Sequence, residues 1–241
     1  ALAASGPTFP YPKGMLAIII PLFLSTTHAA PLKIMLDPGH GGKDQGACSQ
    51  NVSESEITLQ VSKAVAQKLK ADRRFRAILT REDNRFLSLI ERTKMSKDWG
   101  ADLFISIHVN ASPDARARGA EFYFQNQLPP DEDSMRMAHL ENSAASESTN
   151  TSYDFLDKTS LPADVTSILT DMLHGARIFK SAQLSRFLKT QWRGSRKSTA
   201  NSILQAPFYV LSETKAPAAL VELGFITNAT DRADLDRKSV V

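Results

Sequence analysis

Short apolar runs alternate along this chain with stretches in which apolar residues recur every three or four positions. Leu32 to Leu36 is one such run, and Asp37-Pro38-Gly39 ends it, which predicts a buried strand stopped by a turn. From Ser53 the rhythm changes, and Ile57, Val61, Val65 and Leu69 fall on one face of a helix. Arg76 to Thr80 predicts a second strand. Ser88 to Trp99 predicts a second helix, with Gly100 suited to its C-terminal cap. Leu103 to Val109, Glu121 to Phe124 and Ala218 to Leu223 predict further strands. Strands alternating with helices predict an α/β fold: a single domain with a mainly parallel twisted sheet flanked by helices. No internal repeat is present.

The stretch from Gln125 to about Ile203 breaks this rhythm. It opens on Pro129-Pro130 and the acidic Asp131-Glu132-Asp133, and the polar run Glu141 to Ser152 reads as loop. Asp164 to Trp192 carries Val165, Ile168, Met172, Ile178, Leu184 and Phe187 at spacings that predict one or two helices. An insertion of this size between strands of a compact domain is uncommon without a function. It is expected to be a helical regulatory insertion over about residues 127–180.

At the other end of the chain, Lys13 precedes the apolar run Leu16 to Leu24, and small residues follow at Thr27, Ala29 and Ala30. A basic flank, a short apolar core and a small-residue exit are the marks of a secretory signal peptide. The run is shorter than the roughly 20 residues that span a bilayer. Residues 1–30 are therefore expected to be leader and signal peptide, leaving residues 31–241 as the exported domain with no stable membrane span.

Composition narrows the functional classes. Hydrophobic residues make up 42% and charged ones 23%, and the net charge is +3 with a pI near 9.0. A nucleic-acid binder would concentrate its charge. Here the one local cluster, Arg186, Lys189, Arg193, Arg196 and Lys197, reads as a solvated helix face and loop. The single cysteine, Cys48, excludes an internal disulfide and a thiolate metal site. Any metal must be held through nitrogen and oxygen.

His40, in Asp37-Pro38-Gly39-His40-Gly41-Gly42, directly follows the first strand, and His108 ends the strand Leu103 to Val109. Ligands and catalytic groups of α/β sheets gather beyond the carboxyl ends of strands. By period-two alternation His108 shares a face with Ser106 and Phe104. A lone strand histidine is more often a core residue satisfied by a hydrogen bond; two at strand ends favour a metal. Glu54 and Glu56 both begin the following helix. Ser53-x-x-Glu56 fits a capping box, which accounts for Glu56 and leaves Glu54 as the metal-ligand candidate. Glu222 ends an apolar strand, where burial would raise its pKa and suit it to general acid or base work. The bland alternative is an ion pair with Arg81. Arg81 and Asn110 are also candidates for contacting substrate or bracing the ligands. Three protein ligands leave a metal position open for water, the arrangement of a metal hydrolase. The peptidase motif His-Glu-x-x-His is absent.

These residues carry a resemblance. Ile34 to Ala47, Glu54, Leu79-Thr80-Arg81, Ala101 to Ala111 and Ala219 to Asn228 resemble, in order, the zinc-dependent N-acetylmuramoyl-L-alanine amidases of the amidase-3 type. The resemblance spans nearly all of Pro31 to Arg232. It implies one Zn2+ held by His40, Glu54 and His108, with Glu222 as catalytic acid/base. It implies cleavage of the amide between N-acetylmuramic acid and the L-alanine of the peptidoglycan stem peptide. The insertion is similar to a segment that occludes the zinc in periplasmic amidases of daughter-cell separation until an activator protein displaces it. On that reading Glu141, or alternatively Glu147, occupies the open zinc position. The expected protein is periplasmic, of the Gram-negative type, and monomeric. The rival readings are a catalytically silent peptidoglycan-binding or regulatory protein, and a zinc peptidase acting within the stem peptide.

Overall fold

The computed structural model describes residues 30–143, 162–193 and 203–236. The predicted signal peptide, apart from Ala30, and Glu147 lie outside them. In chain order the elements begin with β1 (Leu32–Pro38), a small hairpin of β2 (Cys48–Ser49) and β3 (Val52–Ser53), α1 (Glu54–Lys70) and β4 (Phe75–Leu79). Then come α2 (Leu89–Trp99), β5 (Leu103–Asn110), β6 (Glu121–Phe124), α3 (Glu132–Asn142) and α4 (Ala163–Gln191). The chain continues through β7 (Ile203–Gln205), α5 (Tyr209–Ser212), β8 (Ala218–Phe225) and α6 (Ala229–Asp236).

Six strands form one sheet in the order β4-β1-β5-β8-β6-β7. The pairing is parallel throughout except between β6 and β8, so the expected mainly parallel α/β sheet is observed. Strand alternation divides the core in two. Ile34, Leu36, Ile107 and Val221 pack with Ile57 and Val61 of α1 on one face. Met35, Phe104 and Leu220 pack with Ala138 of α3 and with Phe208 and Leu211 on the other. His108 lies on the Phe104 face by the same alternation.

The helix ends show where local signals acted. Ser88 and Glu91 form a complete capping box at α2, and Gly100 closes that helix in the left-handed conformation with φ of 66°. The capping box expected at Ser53 and Glu56 does not form. The first N–H groups of α1 are instead taken by the preceding loop: Glu54 N donates to Ala47 O at 2.8 Å and Ser55 N to Gln45 O at 3.2 Å. The start of α1 is thus docked by backbone and needs no side-chain cap.

One further expectation changes. Glu141 and Asn142, expected in a loop, are the last two residues of α3, a helix started by Asp131, whose side chain accepts from Ser134 N. The one or two helices expected over Asp164 to Trp192 are a single 29-residue helix, α4 (Ala163–Gln191). From Arg177 onward α4 is part of the main body: Ser181 Oγ accepts from Ala218 N at 2.9 Å, and Ser185 Oγ donates to Tyr123 O at 3.3 Å. Its preceding turns are exposed, with Ile168, Met172 and Leu173 turned to solvent. Among the described residues no helix is long and apolar enough to cross a membrane.

Candidate metal centre

The sheet register brings the candidate residues to one end of the strands. Asp37 pairs with Ser106, and His108 pairs with Glu222, so β1, β5 and β8 finish together. Beyond β1 the chain turns at His40, a non-glycine residue with φ of 56°. Such a conformation costs free energy and persists only where its surroundings enforce it. Two buried arginines do so. Arg81 donates to Pro38 O through Nε at 3.1 Å and to Gly39 O through Nη2 at 2.7 Å. Arg92 donates to Pro38 O through Nη1 at 2.7 Å and to His40 O through Nη2 at 2.8 Å. Arg92 Nη1 also meets Asp37 Oδ1 at 2.7 Å in a buried ion pair. Arg81, fully buried, therefore braces the histidine turn, and these hydrogen bonds go to backbone of that turn and not to Glu222. Its burial, then the nearby Arg92, pulls its pKa down to about 10.

His40, Glu54 and His108 each offer one ligand atom, and these lie within 4.8 Å of one another. His40 Nδ1 meets Asp44 Oδ2 at 2.9 Å, which leaves Nε2 directed inward. That Nε2 is buried and makes no hydrogen bond among the described residues, although Glu54 Oε2 lies 3.2 Å away. His108 Nδ1 is 3.0 Å from Glu54 Oε1. Glu54 is fixed by Val109 N on Oε1 at 2.8 Å and by Ala47 N on Oε2 at 2.9 Å. Glu56, the competing acid, is exposed on the outside of α1. A buried imidazole nitrogen without a hydrogen bond, beside a second imidazole and an anchored carboxylate, is a donor set that fits a zinc ion.

The local electrostatics call for positive charge. Burial works against an imidazolium at His40, but the hydrogen bond to Asp44 and the close carboxylates of Glu141 and Glu54 outweigh it and push the ring up to about 12. Burial likewise opposes charge on Glu54, yet the two histidines hold it far below the ordinary carboxylate range. Glu222 differs. Burial first, then the charges of Glu54, Glu141 and Glu121, lift it well above that range, and its Oε2 has no hydrogen-bond partner.

Glu141 reaches this site from α3. Its Oε2 lies 3.3 Å from His40 Nε2 and 3.4 Å from His108 Nδ1. The space beside the histidines, lined also by Asn142, Phe208 and Leu220, is about 20 Å³, room for a single water. A larger cleft of about 860 Å³ opens near the amino ends of β1, β5 and β8, beside Leu32, Leu103 and Pro217, and contains none of these groups.

Residues 34–240 match the family described as N-acetylmuramoyl-L-alanine amidase, Amidase_3. The chain belongs to this family. Among its relatives, AmiB of Haemophilus influenzae, by name a probable N-acetylmuramoyl-L-alanine amidase, is 31% identical over 92% of this chain and 52% of its own. N-acetylmuramoyl-L-alanine amidase AmiA of Escherichia coli K12 is 32% identical over 81% of this chain and 66% of its own. The chain thus spans about half the length of AmiB. The catalytic domain of the N-acetylmuramoyl-L-alanine amidase CwlV from Bacillus (Paenibacillus) polymyxa shares the fold, with a TM-score of 0.55 at 24% identity over 86% of this chain and 88% of that one.

In this Amidase_3 chain the structure adds residues that sequence reasoning missed. Asp44 orients His40, and its only signal was its position four residues on in a glycine-rich loop. Glu121 stands opposite Glu222 in the β6–β8 register, where Tyr123 Oη at 2.9 Å and Asn110 Nδ2 at 3.0 Å both donate to its Oε2. Asn110 therefore contacts this second carboxylate, not the histidines. Burial, and only partly the two donors against it, leaves Glu121 above the ordinary carboxylate range. Burial and the neighbouring Glu121 and Glu222 charges raise Tyr123, which keeps its phenol a donor.

Proposed function

We propose that this chain is a zinc-dependent peptidoglycan hydrolase that cleaves the amide between N-acetylmuramic acid and the L-alanine of the stem peptide. The observation that carries the reading is the convergence of His40 Nε2, His108 Nδ1 and the Glu54 carboxylate near buried Glu222, whose Oε2 has no hydrogen-bond partner among the described residues. His40, Glu54 and His108 would hold the zinc, and its chemistry there is that of a Lewis acid toward the scissile carbonyl and water. Asp44 fixes the His40 tautomer so that Nε2 faces the site. Val109 N and Ala47 N fix the Glu54 carboxylate. Glu222 carries the proton: burial holds its carboxyl well above the ordinary carboxylate range, which suits it to take a proton and yield it to the leaving amine of L-alanine.

The resting site is closed on this reading. Glu141 Oε2 stands where an open coordination position would be, and 20 Å³ does not admit a stem peptide. The segment that brings it there, within the interval 127–180, is autoinhibitory. The exposed Ile168, Met172 and Phe179 of α4 support an activator protein as the partner that displaces it. Together with the apolar run at Leu16–Leu24, this favours a periplasmic amidase of daughter-cell separation.

Mass spectrometry of products released from purified peptidoglycan tests the activity. The expected products are intact stem peptides beginning with L-alanine, together with bare glycan strands. Peptides lacking that alanine would identify a peptidase acting within the stem. Binding without any release, in zinc-loaded Glu141→Ala, would identify a catalytically silent peptidoglycan-binding protein.

A further inference from the structure

Glu141 reaches the histidines because of where α3 stops, and Asn142 holds that end. Its Nδ2 donates to Pro207 O at 2.9 Å, and its Oδ1 accepts from Tyr209 N at 2.7 Å. Both halves of one carboxamide are thus committed to backbone on either side of Phe208. Phe208 is buried, and its ring packs edge-to-face on Tyr123 with centroids 5.1 Å apart. The bond to Tyr209 N also satisfies a donor at the start of α5. With its immediate neighbour clamped in this way, the Glu141 side chain has little freedom to leave.

The far end of the same segment is held by α4. Buried Arg177 donates through Nη1 to Leu211 O at 2.7 Å and to Thr214 O at 3.3 Å, and through Nη2 to Gln125 Oε1 at 2.9 Å. Residues 207–214 are therefore gripped by α3 at one end and by α4 at the other. Arg177 is also where α4 passes from its exposed turns into the packed body. A force on the exposed turns reaches Arg177 before any other buried group of that helix.

We propose that Asn142 is a positioning residue that latches Glu141 in the metal site, and that Arg177 couples this latch to α4 through the shared 207–214 segment. The inference rests on the reading of Glu141 as the occupant of the open position. Movement of α4 loosens the carbonyls of Leu211 and Thr214, the α5 turn shifts, and Asn142 loses its two backbone partners. A partner bound to α4 then opens the site without touching it. The chain of contacts is continuous, and the element with two arrangements is α3, seated or released.

The test uses the full zinc-loaded chain on dye-labelled peptidoglycan, with hydrogen exchange of residues 132–142 measured on zinc-free protein. Glu141→Ala sets the unplugged rate. Asn142→Ala is expected to raise the basal rate on the order of tenfold, the scale that loss of two neutral hydrogen bonds allows. The double variant should run no faster than Glu141→Ala, because the latch acts only through Glu141. Asn142→Ala and Arg177→Lys should both speed exchange in α3. Wild-type rate and wild-type exchange in Asn142→Ala, beside a fast Glu141→Ala, would overturn the latch and leave the plug standing. A Glu141→Ala variant no faster than an active wild type would overturn both. Unchanged α3 exchange in Arg177→Lys would overturn the link to α4. Asn142→Asp keeps the acceptor for Tyr209 N and loses the donor; it supplies a milder variant whose readouts should shift in the same direction if Asn142→Ala does not fold.

Discussion

Glu121 and Glu222 face each other directly across the antiparallel β6–β8 pair. Asn110 and Tyr123 both donate to Glu121, whereas Glu222 Oε2 is buried without a hydrogen-bond partner. The two donors favour charge on Glu121, so the proton resides preferentially on Glu222.

Glu121→Gln should therefore make Glu222 easier to deprotonate. The amide keeps the size of the side chain and removes one of the negative charges that raise Glu222. The limb of the pH–rate profile set by Glu222 is expected to move to lower pH without returning to the ordinary carboxylate range, since burial remains the larger cause. Rates of stem-peptide release across the pH range measure it. An unmoved limb would mean that the two carboxylates do not interact.

Zinc uptake should depend steeply on pH. His40 sits at about 12 in the folded chain against 6.5 for the free side chain. The folded, metal-free protein thus keeps a proton that the unfolded chain releases above about pH 6.5. That contribution to stability is complete below the unfolded value and is lost as pH rises toward 12. A zinc ion has to displace the same proton, so affinity is expected to rise about tenfold per unit between about pH 7 and pH 9. Calorimetry in buffers of different ionisation enthalpy should register about one proton released per zinc bound. A flat affinity over that range would contradict the assignment of His40.

Asp37→Asn should be strongly destabilising. Asp37 and Arg92 are both almost fully buried, and Thr80 and Ser106 add hydrogen bonds to the same carboxylate. Removing one partner of such a pair leaves an uncompensated charge, at a cost of about 3–5 kcal/mol. Chemical denaturation is the measurement. The loss should extend to zinc affinity, because Arg92 also holds the carbonyls of Pro38 and His40.

Gly46→Ala should disable the metal site while sparing the sheet. Gly46 has φ of +63°, and a Cβ there would lie 2.5 Å from Glu54 Oε2 and 2.6 Å from His40 Cδ2. Neither side chain can retreat, since Asp44 and Ala47 N fix them from behind. Metal analysis should find the variant folded and largely without zinc. Full zinc occupancy would show that the loop moves more easily than its hydrogen bonds suggest.

The strands themselves were legible in the sequence, but their order in the sheet was not. Buried parallel strands are continuous apolar runs, and Leu32 to Leu36 and Leu103 to Val109 stand out on composition alone. His40 and His108 were legible for the same reason: each ends such a run, and the carboxyl edge of a sheet is where functional groups gather. Glu54 was singled out over Glu56 by a capping box that does not exist at Ser53. Glu54 nevertheless lies beside His40 and His108, because the Gln45–Ala47 loop docks the helix start and turns it inward. A long-range backbone contact of that kind leaves no periodic trace.

Sequence by itself determined the α/β class and set His40, His108 and Glu222 at strand ends, through local periodicity and turn chemistry. Tertiary structure alone decided that Arg81 braces the His40 turn and that Glu121 opposes Glu222, and the docking of α3 is what lays Glu141, already offered by the resemblance, against His40 and His108. These depend on strand register and helix docking between residues far apart in the chain. Hydrophobic patterning specifies which face of an element is buried, not which neighbour it is buried against.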